Sequence, residues 1–529
     1  MKKASFVAAM ASQKSARLQS ERCFLERQPG SLLRLPLVYP SPYRVGMSSL
    51  GYQAVFRLLN DPKRPEISAE RAFLPDDAKG CEQARIPLTT YETDTRVGAF
   101  PAILFSVAYE LEITGLFSCL ELSSVPVFRT ERDATHPIVI CGGPLTFSNP
   151  LPLAPFVDAV LIGEAEDAFP ALLEAMLCHE VGQVPLDEQR RRALLAKLAQ
   201  IPGVWVPSEH GEVLPKTCAA ATEKLPATSA FLTPHTELSS MFLIETERGC
   251  SRSCTYCVMR RTTNGGMRLV SKDRIVSLLP DGIERVGLVG AAVTDHPKLP
   301  EILRHIVLER RLQVGISSLR ADRLTDELVF LLAQGGYRTL TVASDGASQR
   351  LRDIIQRKTH ARHLLRAAEL CAKHGMRTLK VYMMVGLPDE TDEDIDELIE
   401  FSRELSAQIR IAYGIAPFVP KRNTPLFGAP FAGLATVERR LARLTAGLSG
   451  LAEVRPTSAR WAFVEYLLAQ GGSNAGLRAY QAHRNGGSFA AWRRAFADFS
   501  PRAVPKTEEE PGRLADTRLH LPVQQTPAR

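Results

Sequence analysis

Short apolar runs alternate with amphipathic helical patterns through the first third of the chain. The runs "AILFSVA", "PIVICGG" and "DAVLIGEAE" end in small or polar residues, which is typical of buried strands. The stretches "MSSLGYQAVFRLLN" and "DAFPALLEAM" have the period of amphipathic helices. This alternation predicts a parallel sheet covered by helices, so we expect a Rossmann-like domain over residues 31–180. Ligands of such a sheet bind at the carboxyl ends of its strands, where Gly46, Ser106, Gly142, Gly143 and Gly163 fall, although each glycine alone could simply form a tight turn.

A second alternating series begins at Phe242. Six apolar runs read as strands, and helical patterns separate them. These runs are "MFLIETERG", "RVGLVGAAV", "QVGISSLR", "RTLTVASDG", "TLKVYMMVGLP" and "IRIAYGIAP". They predict a (βα)6 partial barrel over residues 241–430, because a closed barrel of this kind takes about eight units. In parallel barrels the chemistry lies where the strands end and the loops begin.

The remaining segments lack this alternation. The start of the chain, "MKKASFVAAMASQKSAR", imitates a weak signal peptide, but its apolar stretch is short, so we expect residues 1–30 to form a disordered tail. Residues 181–240 should form a charged helix and a connector, and residues 431–500 a small helical extension. Residues 501–529 are expected to be disordered. The predicted fold class is α/β: a Rossmann-like N-terminal domain, a (βα)6 partial barrel and a small helical C-terminal extension.

Composition indicates a globular chain in a reducing compartment. Apolar residues make up 45% of the 529 residues and charged residues 23%, and the net charge of +7 is too small to indicate nucleic-acid binding along the whole chain. No apolar run approaches the length that crosses a bilayer. Seven of the ten cysteines lie far apart, without the density of a disulfide-stapled secreted domain. We therefore expect a cytoplasmic protein.

The other three cysteines lie together in "ETERGCSRSCTYCVMRR". Cys250, Cys254 and Cys257 form a C-x3-C-x2-C pattern directly after the first strand of the second series. A structural zinc ion takes four protein ligands and would need a further partner here. Three thiolates on a four-iron four-sulfur cluster would leave one iron open. Such an iron can chelate S-adenosylmethionine (SAM) through its amino and carboxylate groups, and an electron from the reduced cluster can split the C–S bond.

Four arginines surround these cysteines. Arg248, Arg252, Arg260 and Arg261 could offset the charge of a cluster and its thiolates, or they could be solvated loop charges. A zinc knuckle and chance clustering of the cysteines remain the alternatives to a cluster at this point.

The cysteine pattern, with Tyr256 before its last cysteine and a (βα)6 series around it, resembles the radical SAM superfamily. The resemblance extends through "SDGASQRLRDIIQRK" and "LKVYMMVGLPDET" and covers roughly residues 242–430. Upstream, "YRVGMSSLGYQAVFRLLN" and "ICGGPLTFSNPLPLAPFVDAVLIGEAED" are similar to uncharacterised radical SAM proteins with an N-terminal cobalamin-binding-like domain. The resemblance implies a cluster on the three cysteines, bound SAM, and an electron donor such as a flavodoxin or a ferredoxin.

The resemblance also implies a set of SAM-binding positions. Gly290 matches a glycine-rich loop after the second strand, although Ala291 and Ala292 stand where the family has an acid, and Asp295 is displaced. Asp345 ends the fourth strand, where related sequences more often have glutamate, and the resemblance implies that it contacts the ribose of SAM. Ser318, Asp345 and Lys380 could equally be ordinary polar residues at strand ends. The cofactor-binding positions implied are Tyr256, Gly290, Ser318, Arg320, Asp345, Lys380 and Gly386.

Cobalamin is a further cofactor raised by the upstream resemblance. A common cobalamin signature is D-x-H-x-x-G, in which the histidine ligates cobalt. The matching turn, "YPSPYRVG", has neither the acid nor the histidine, and His136 is the one histidine between Leu32 and Phe169. Either cobalamin binds without a protein ligand to cobalt, or the domain has kept the fold and lost the ligand.

We therefore expect a radical SAM enzyme that binds a four-iron four-sulfur cluster and reductively cleaves SAM. If cobalamin is bound, the leading reaction is methyl transfer to an unactivated carbon of an unknown substrate. The nearest alternative is a methylthiotransferase-like modification of RNA or protein. That class needs a second cluster on N-terminal cysteines, and Cys23, Cys81, Cys119 and Cys141 are dispersed.

A non-catalytic scaffold that binds RNA or protein is an alternative from a different class. Between Thr436 and Ser500 nine arginines stand against four acids, with aromatic residues among them, as on an RNA-binding surface. The same pattern fits an amphipathic helical cap whose arginines extend into solvent.

Overall fold

The computed structural model describes residues 2–26, 30–184, 186–259, 266–317 and 319–499. Over these residues the predicted α/β architecture is confirmed, because parallel sheets carry helices on their faces. The predictions for Ser318, Arg260 and Arg261, and the expected disorder of residues 501–529, fall outside the described residues. None of the described helices is long and apolar enough to cross a membrane.

The N-terminal domain is built on a six-stranded sheet. Its first five strands run parallel, and the sixth pairs antiparallel at one edge. Neighbouring residues such as Leu37 and Val38 belong to two different apolar cores, because a parallel sheet is buried on both faces. In chain order the strands are Leu33–Tyr39, Ile67–Phe73, Ala102–Ser106, Ile138–Gly142, Ala159–Leu161 and Val204–Trp205.

The helices of this domain connect the strands and cover both faces of the sheet. The two helices expected from the sequence are present, as Leu50–Leu59 and Ala165–Cys178. The side chain of Ser49 caps the first of these by accepting a hydrogen bond from the backbone N–H of Tyr52. The remaining helices are Tyr43–Gly46, Ala78–Ala84, Ile113–Leu122, Glu188–Ala199 and Pro207–His210.

The barrel part contains two parallel sheets that share one apolar core with the outer helices. The first sheet holds Met241–Glu245, Arg285–Val289 and Gln313–Ile316, and the second begins with Thr339–Asp345, Thr378–Val385 and Arg410–Pro417. Over the described residues the two sheets do not close into a barrel. The helices are Lys272–Ser277, Leu299–Leu303 with a π-helical continuation Arg304–Glu309, Asp326–Gln334, Gln349–Ile354, Ala361–Lys373 and Asp392–Ser406.

The start of the chain is not a disordered tail over its described part. Residues Lys2–Gln19 form a helix, and Arg22–Cys23 pairs with Phe231–Leu232. Ion pairs of 2.6 Å and 2.8 Å join Lys14 to Asp94 and Arg17 to Asp76 on the N-terminal domain. The prediction was wrong because the tertiary contacts that order this helix have no signature in its own weakly amphipathic sequence.

The predicted connector and extension also contain strands of the neighbouring sheets. Val204–Trp205 is the antiparallel edge strand of the N-terminal sheet, and Ala452–Pro456 pairs in parallel with Arg410–Pro417 as a further strand of the barrel. The first of these strands has only two residues, and the second, "AEVRP", is half-exposed. Neither shows enough of an apolar pattern to predict a strand. The helices of the extension are Leu434–Gly447, Ala459–Ala469, Ser473–Arg484 and Phe489–Ala495.

The extension packs on the N-terminal domain and pairs most of its own arginines. Trp492 and Phe496 join a core of that domain, and the side-chain amide of Asn149 donates to the carbonyl of Leu468 at 2.9 Å. Seven of its nine arginines form ion pairs with carboxylates. This arrangement agrees with a helical cap better than with a free basic surface.

Candidate active site at the cysteine loop

The cysteine loop, residues 250–259, follows the first barrel strand. The backbone continues into Glu247–Gly249, which pairs antiparallel with Met267–Leu269, and Cys250 comes next. Gly249 has φ of +90°, a conformation that a residue with a side chain rarely adopts, so glycine is needed for this turn. The sequence therefore places the three cysteines at the carboxyl end of the strand, where parallel barrels carry their chemistry.

The three thiols are partly or fully removed from solvent. Cys254 is buried, and Cys250 and Cys257 are half-buried. Burial raises the pKa of Cys250 and of Cys257. Among the described residues no group of three or more His, Cys, Asp or Glu side chains is arranged to hold a single metal ion. As a donor set the thiols fit an iron–sulfur cluster, in which each cysteine ligates a different iron.

Tyr256 and Asp345, both predicted to bind the cofactor, contact each other. The Tyr256 hydroxyl donates to Oδ2 of Asp345 at 2.6 Å, and Nε of Arg357 lies 2.7 Å from the same oxygen. Burial, and then the charge of Asp345, raise the pKa of Tyr256 well above its usual value. Asp345 therefore holds the cysteine loop against the fourth strand, and a contact with ribose stays a prediction.

Arg248 has a role that the sequence did not reveal. Its guanidinium pairs with Glu245 at 2.6 Å, with Glu166 at 2.7 Å and with Glu164 at 3.2 Å. Arg268 pairs with Glu164 as well. Arg248 is thus neither a solvated charge nor free to offset a cluster, and it joins the N-terminal domain to the start of the cysteine loop.

Arg320 is held by carboxylates at the end of the third strand. Its guanidinium contacts Asp295 and Asp322, and the hydroxyl of Ser251 donates to Oδ2 of Asp295 at 2.9 Å. Arg252 in the cysteine loop pairs with Asp322 at 2.8 Å. These contacts bring the predicted Arg320 next to the cysteine loop, and they involve Asp295 in the same network.

Lys380 and Gly386 lie on and after the fifth strand. The ammonium of Lys380 donates to the hydroxyl of Tyr382 at 2.9 Å, on the side of the strand that faces away from the apolar core. Gly386 has φ of +83°, and its N–H donates to Glu390 at 2.6 Å. The described contacts do not connect these two positions to the cysteines.

Glu247 was missed by the sequence analysis. It is 1% exposed, its Oε1 accepts from the N–H of Ala292 at 2.6 Å, and its Oε2 has no hydrogen-bond partner among the described residues. Burial, with further contributions from Glu245 and Asp295, raises its pKa to about 7. The signal was present in "IETERG", because an acid two residues beyond Glu245 can point to the same side of an extended chain.

A cavity of about 590 Å³ separates the N-terminal sheet from the cysteine loop. Apolar side chains such as Leu104 and Phe169 form most of its wall. Of the predicted strand-end positions Ser106, Gly142, Gly143 and Gly163 line it, whereas Gly46 is not among the described residues that do. On the barrel side it is lined by Glu245, Glu247, Arg248, Gly249, Met259, Val289, Gly290 and Ala291. We call it the interdomain cavity. No histidine is among the described residues that line it.

Two family models match the chain. Residues 51–207 match the N-terminal region of radical SAM proteins, and residues 244–402 match the radical SAM superfamily. Together the two ranges cover more than half of the chain and include the cysteine loop. The chain belongs to the radical SAM superfamily and is an enzyme of that class, which implies a four-iron four-sulfur cluster and SAM.

The proteins to which this chain is similar carry different descriptions. An uncharacterized protein of Methanocaldococcus jannaschii is 25% identical over 73% of this chain and 78% of its own length. An uncharacterized methyltransferase of Pyrococcus horikoshii is 24% identical over 52% of this chain and 60% of its own length. A tRNA-2-methylthio-N(6)-dimethylallyladenosine synthase of Treponema pallidum is 24% identical over 38% and 48%.

The solved structures that resemble this chain include the cobalamin-dependent SAM radical enzyme OxsB. One OxsB structure is 13% identical, with a TM-score of 0.48 over 89% of this chain and 73% of that one.

Proposed function

We propose that Cys250, Cys254 and Cys257 bind a four-iron four-sulfur cluster and that the enzyme reductively cleaves SAM to modify an acceptor in the interdomain cavity. The observation that carries this proposal is the position of the C-x3-C-x2-C loop. It lies at the carboxyl end of the first barrel strand, and Gly249 and Met259 on its two sides line the cavity. When bound, the reduced cluster supplies the electron that breaks the C–S bond of SAM.

The residues around the loop would bind SAM and exclude water. Cys254 and Glu247 are buried, and Ser251 and Arg252 tie the loop to Asp295 and Asp322. A site that is fixed and partly shielded from water favours a reaction that passes through a reactive species. We assign the implied positions Gly290, Ser318, Arg320, Asp345, Lys380 and Gly386, with Tyr256, to the surroundings of SAM.

Glu247 is the residue that we add to this set. The resemblance to the superfamily implies an acidic residue in the loop at Gly290. This chain lacks that acid and has Ala291 and Ala292 there. The carboxylate of Glu247 reaches the same loop from the neighbouring strand, and its Oε2 is buried without a partner. A buried acceptor without a partner is costly unless a ligand donates to it. We assign this oxygen to the amino group of SAM.

Methyl transfer with cobalamin is the second candidate. The interdomain cavity lies at the carboxyl ends of the N-terminal strands, where a doubly wound sheet binds its ligand, and Gly142, Gly143 and Gly163 line it. These positions would hold the corrinoid, which when bound supplies a transferable methyl group. Since the described lining contains no histidine, the fit requires binding without an imidazole ligand to cobalt. The similar protein of Pyrococcus horikoshii is described as an uncharacterized methyltransferase, and this supports the methyl transfer but not the cobalamin.

The two competing functions have weaker support. A methylthiotransferase needs a second cluster, and Cys81, Cys119 and Cys141 are buried in the core of the N-terminal domain rather than grouped at its surface. Burial raises the pKa of all three. An RNA-binding scaffold needs free basic groups, and most arginines of the extension are paired. We retain an external electron donor, such as a flavodoxin or a ferredoxin, as the expected partner.

The proposal is tested on the full chain, purified and reconstituted without oxygen. About four irons per chain are expected, together with release of 5′-deoxyadenosine or S-adenosylhomocysteine when a strong reductant is added. Replacing Cys250, Cys254 and Cys257 with alanine should remove the iron and the product, whereas Cys371→Ala, at a buried thiol in the barrel core, should retain both. Iron that survives the triple replacement would contradict the cluster. A full cluster without SAM cleavage would favour the scaffold.

A further inference from the structure

The floor of the interdomain cavity is an apolar patch of the N-terminal sheet. Leu37, Leu104, Ile140 and Leu161 line the cavity, and they come from four neighbouring parallel strands. All four belong to one apolar core and none is more than 5% exposed, so they lie on the same face of the sheet. Neighbouring strands are about 4.8 Å apart, so the four strands span roughly 14 Å. The floor is wide enough for a small molecule that makes extended apolar contact.

One helix forms a side wall of the cavity. Its lining residues recur at intervals of four along the helix Leu50–Leu59, which places them on one side of it. They are Leu50, Gly51, Ala54, Val55 and Leu58. The eight residue steps from the first to the last correspond to a rise of about 12 Å. Gly51 is exposed, so the cavity opens to solvent near the start of the helix, and a molecule that enters there meets an uncharged apolar wall.

The charged groups of the cavity are mostly negative. Four glutamates and one arginine are among its described lining residues, and they are Glu164, Glu166, Glu245, Glu247 and Arg248. The guanidinium of Arg248 pairs with three of these glutamates, so the described lining offers no free cation to a ligand. A phosphate or carboxylate group would lose its water here without gaining a counter-charge, which is costly. The cavity therefore disfavours anionic acceptors, nucleotides and RNA included.

We propose that the acceptor is an uncharged, largely apolar small molecule whose apolar part lies between the helix Leu50–Leu59 and the sheet. This inference deepens the proposed function and rests on it, because the acceptor must lie within reach of the species formed at the cysteine loop. Gly249 and Met259 line the same cavity, so the reacting part of the molecule would face them. The strand-end glycines stay assigned to the corrinoid of the second candidate function.

The experiment is equilibrium dialysis of the reconstituted full chain with N-phenyl-1-naphthylamine, an uncharged apolar probe. The probe should bind at one saturable site per chain. Octan-1-ol should displace it, and octanoate, which has a chain of the same length and a carboxylate, should need at least a tenfold higher concentration. Equal potency of the alcohol and the carboxylate would overturn the inference, because the cavity would then not select against negative charge.

Two variants locate the bound probe. Ala54→Phe fills the space beside the helix and should weaken binding of the probe by tenfold or more. Ala196→Phe, at an exposed position of the helix Glu188–Ala199, is the matched control and should bind the probe like the wild type. If Ala54→Phe does not fold, Gly51→Leu replaces it. A Cβ at Gly51 would have only Oγ of Ser49 within 4 Å, at 3.9 Å, so the larger side chain fits and narrows the entrance.

The two proposals fail in different ways. A wild-type chain that holds a cluster and cleaves SAM but does not bind the probe overturns the apolar acceptor alone. Unchanged binding in Ala54→Phe and in Gly51→Leu also overturns it, because the probe would then lie elsewhere. A wild-type chain that binds the probe but holds no cluster overturns the proposed function.

Discussion

Oε1 of Glu247 lies so close to Gly290 that a methyl group built on the α-carbon of Gly290 would come within 2.2 Å of it. Real Cβ atoms do not approach a heavy atom this closely, so any larger residue at position 290 must displace the carboxylate. The glycine and the acid come from two different strands. The carboxylate of Glu247 fills the space beside Gly290, so this position favours glycine. The same carboxylate supplies the acidic group that the loop itself lacks.

Gly290→Ala should therefore weaken SAM binding without removing the cluster. Displacing Glu247 breaks its hydrogen bond to Ala292 and moves its free oxygen, so we expect a loss of about tenfold or more in affinity, roughly 1.4 kcal/mol. Isothermal titration of the reconstituted enzyme with SAM measures this. Gly266→Ala is the matched control, since an added Cβ there would have nothing within 4 Å. Equal SAM affinities of the two variants would show that Glu247 does not contribute to SAM binding.

Glu247 also makes a definite contribution to the pH dependence of stability. Its pKa is about 7 in the folded protein and near 4.5 when the chain is unfolded. Between these values the folded state keeps a proton that the unfolded state has lost. The contribution of Glu247 to the free energy of unfolding therefore falls as pH rises through this window, by up to about 1.4 kcal/mol per pH unit, and is constant above it.

Glu247→Gln should remove this dependence, because glutamine has a similar shape and does not ionise. Urea unfolding of the cluster-free chain at several pH values between about 4.5 and 8 would show the variant gaining stability relative to the wild type as pH rises. Glu390, whose pKa is also raised to about 7, is common to both proteins and cancels in the difference. Parallel curves would show that Glu247 does not hold its proton in the folded state.

Arg248→Met tests the ionic connection between the two domains. The change removes the cation that Glu164, Glu166 and Glu245 share in a nearly dry site and leaves Glu164 paired with Arg268 alone, so we expect a loss of about 3–5 kcal/mol in the free energy of unfolding. Arg44→Met removes an exposed pair with Glu237 at 3.5 Å and should cost less than about 1 kcal/mol. Denaturant titrations of the three proteins compare these values. A similar small loss in both variants would contradict the role of Arg248.

Cobalamin binding has a spectroscopic test. We expect the full chain to retain hydroxocobalamin after desalting and, once gently reduced, to give a cob(II)alamin spectrum that does not change when the histidines of the protein are labelled with 15N, since any nitrogen splitting then comes from the dimethylbenzimidazole of the cofactor itself. The reason is that no histidine lies among the described residues of the interdomain cavity, and His136 precedes the strand Ile138–Gly142, at the end away from the glycines. A splitting that changes with the histidine label would contradict this arrangement. Loss of the corrinoid on desalting would show that the protein does not bind cobalamin, and the interdomain cavity would then be assigned to the acceptor only.

The parts of the site that could be predicted were those with local patterns. The spacing of the cysteines and the alternation of strands and helices are properties of short stretches, and they located Cys250 at a strand end before the fold was known. The family assignment and the α/β architecture followed from the same stretches. The roles of the individual cofactor-binding positions remain predictions, since no contact with a cofactor tests them.

The contacts between distant segments could not be predicted. Arg248 meets Glu164 across 84 positions of sequence, and Tyr256 meets Asp345 across 89. A single sequence says which residues are charged and not which of them face each other. The helix Lys2–Gln19 was missed for the same reason, because the acids that anchor it, Asp76 and Asp94, lie in another segment.

The strand Ala452–Pro456 also protects the protein from self-association. It occupies the outer edge of the second barrel sheet and satisfies backbone groups of Arg410–Pro417. A chain shortened to end at residue 430 would leave that eight-residue strand with an open row of donors and acceptors. Ala452–Pro456 is itself an edge, but it is short and carries charged side chains and a proline, which make it a poor template for pairing. The longer edge of Arg410–Pro417 lacks this protection, so the shortened protein should aggregate more readily than the full chain.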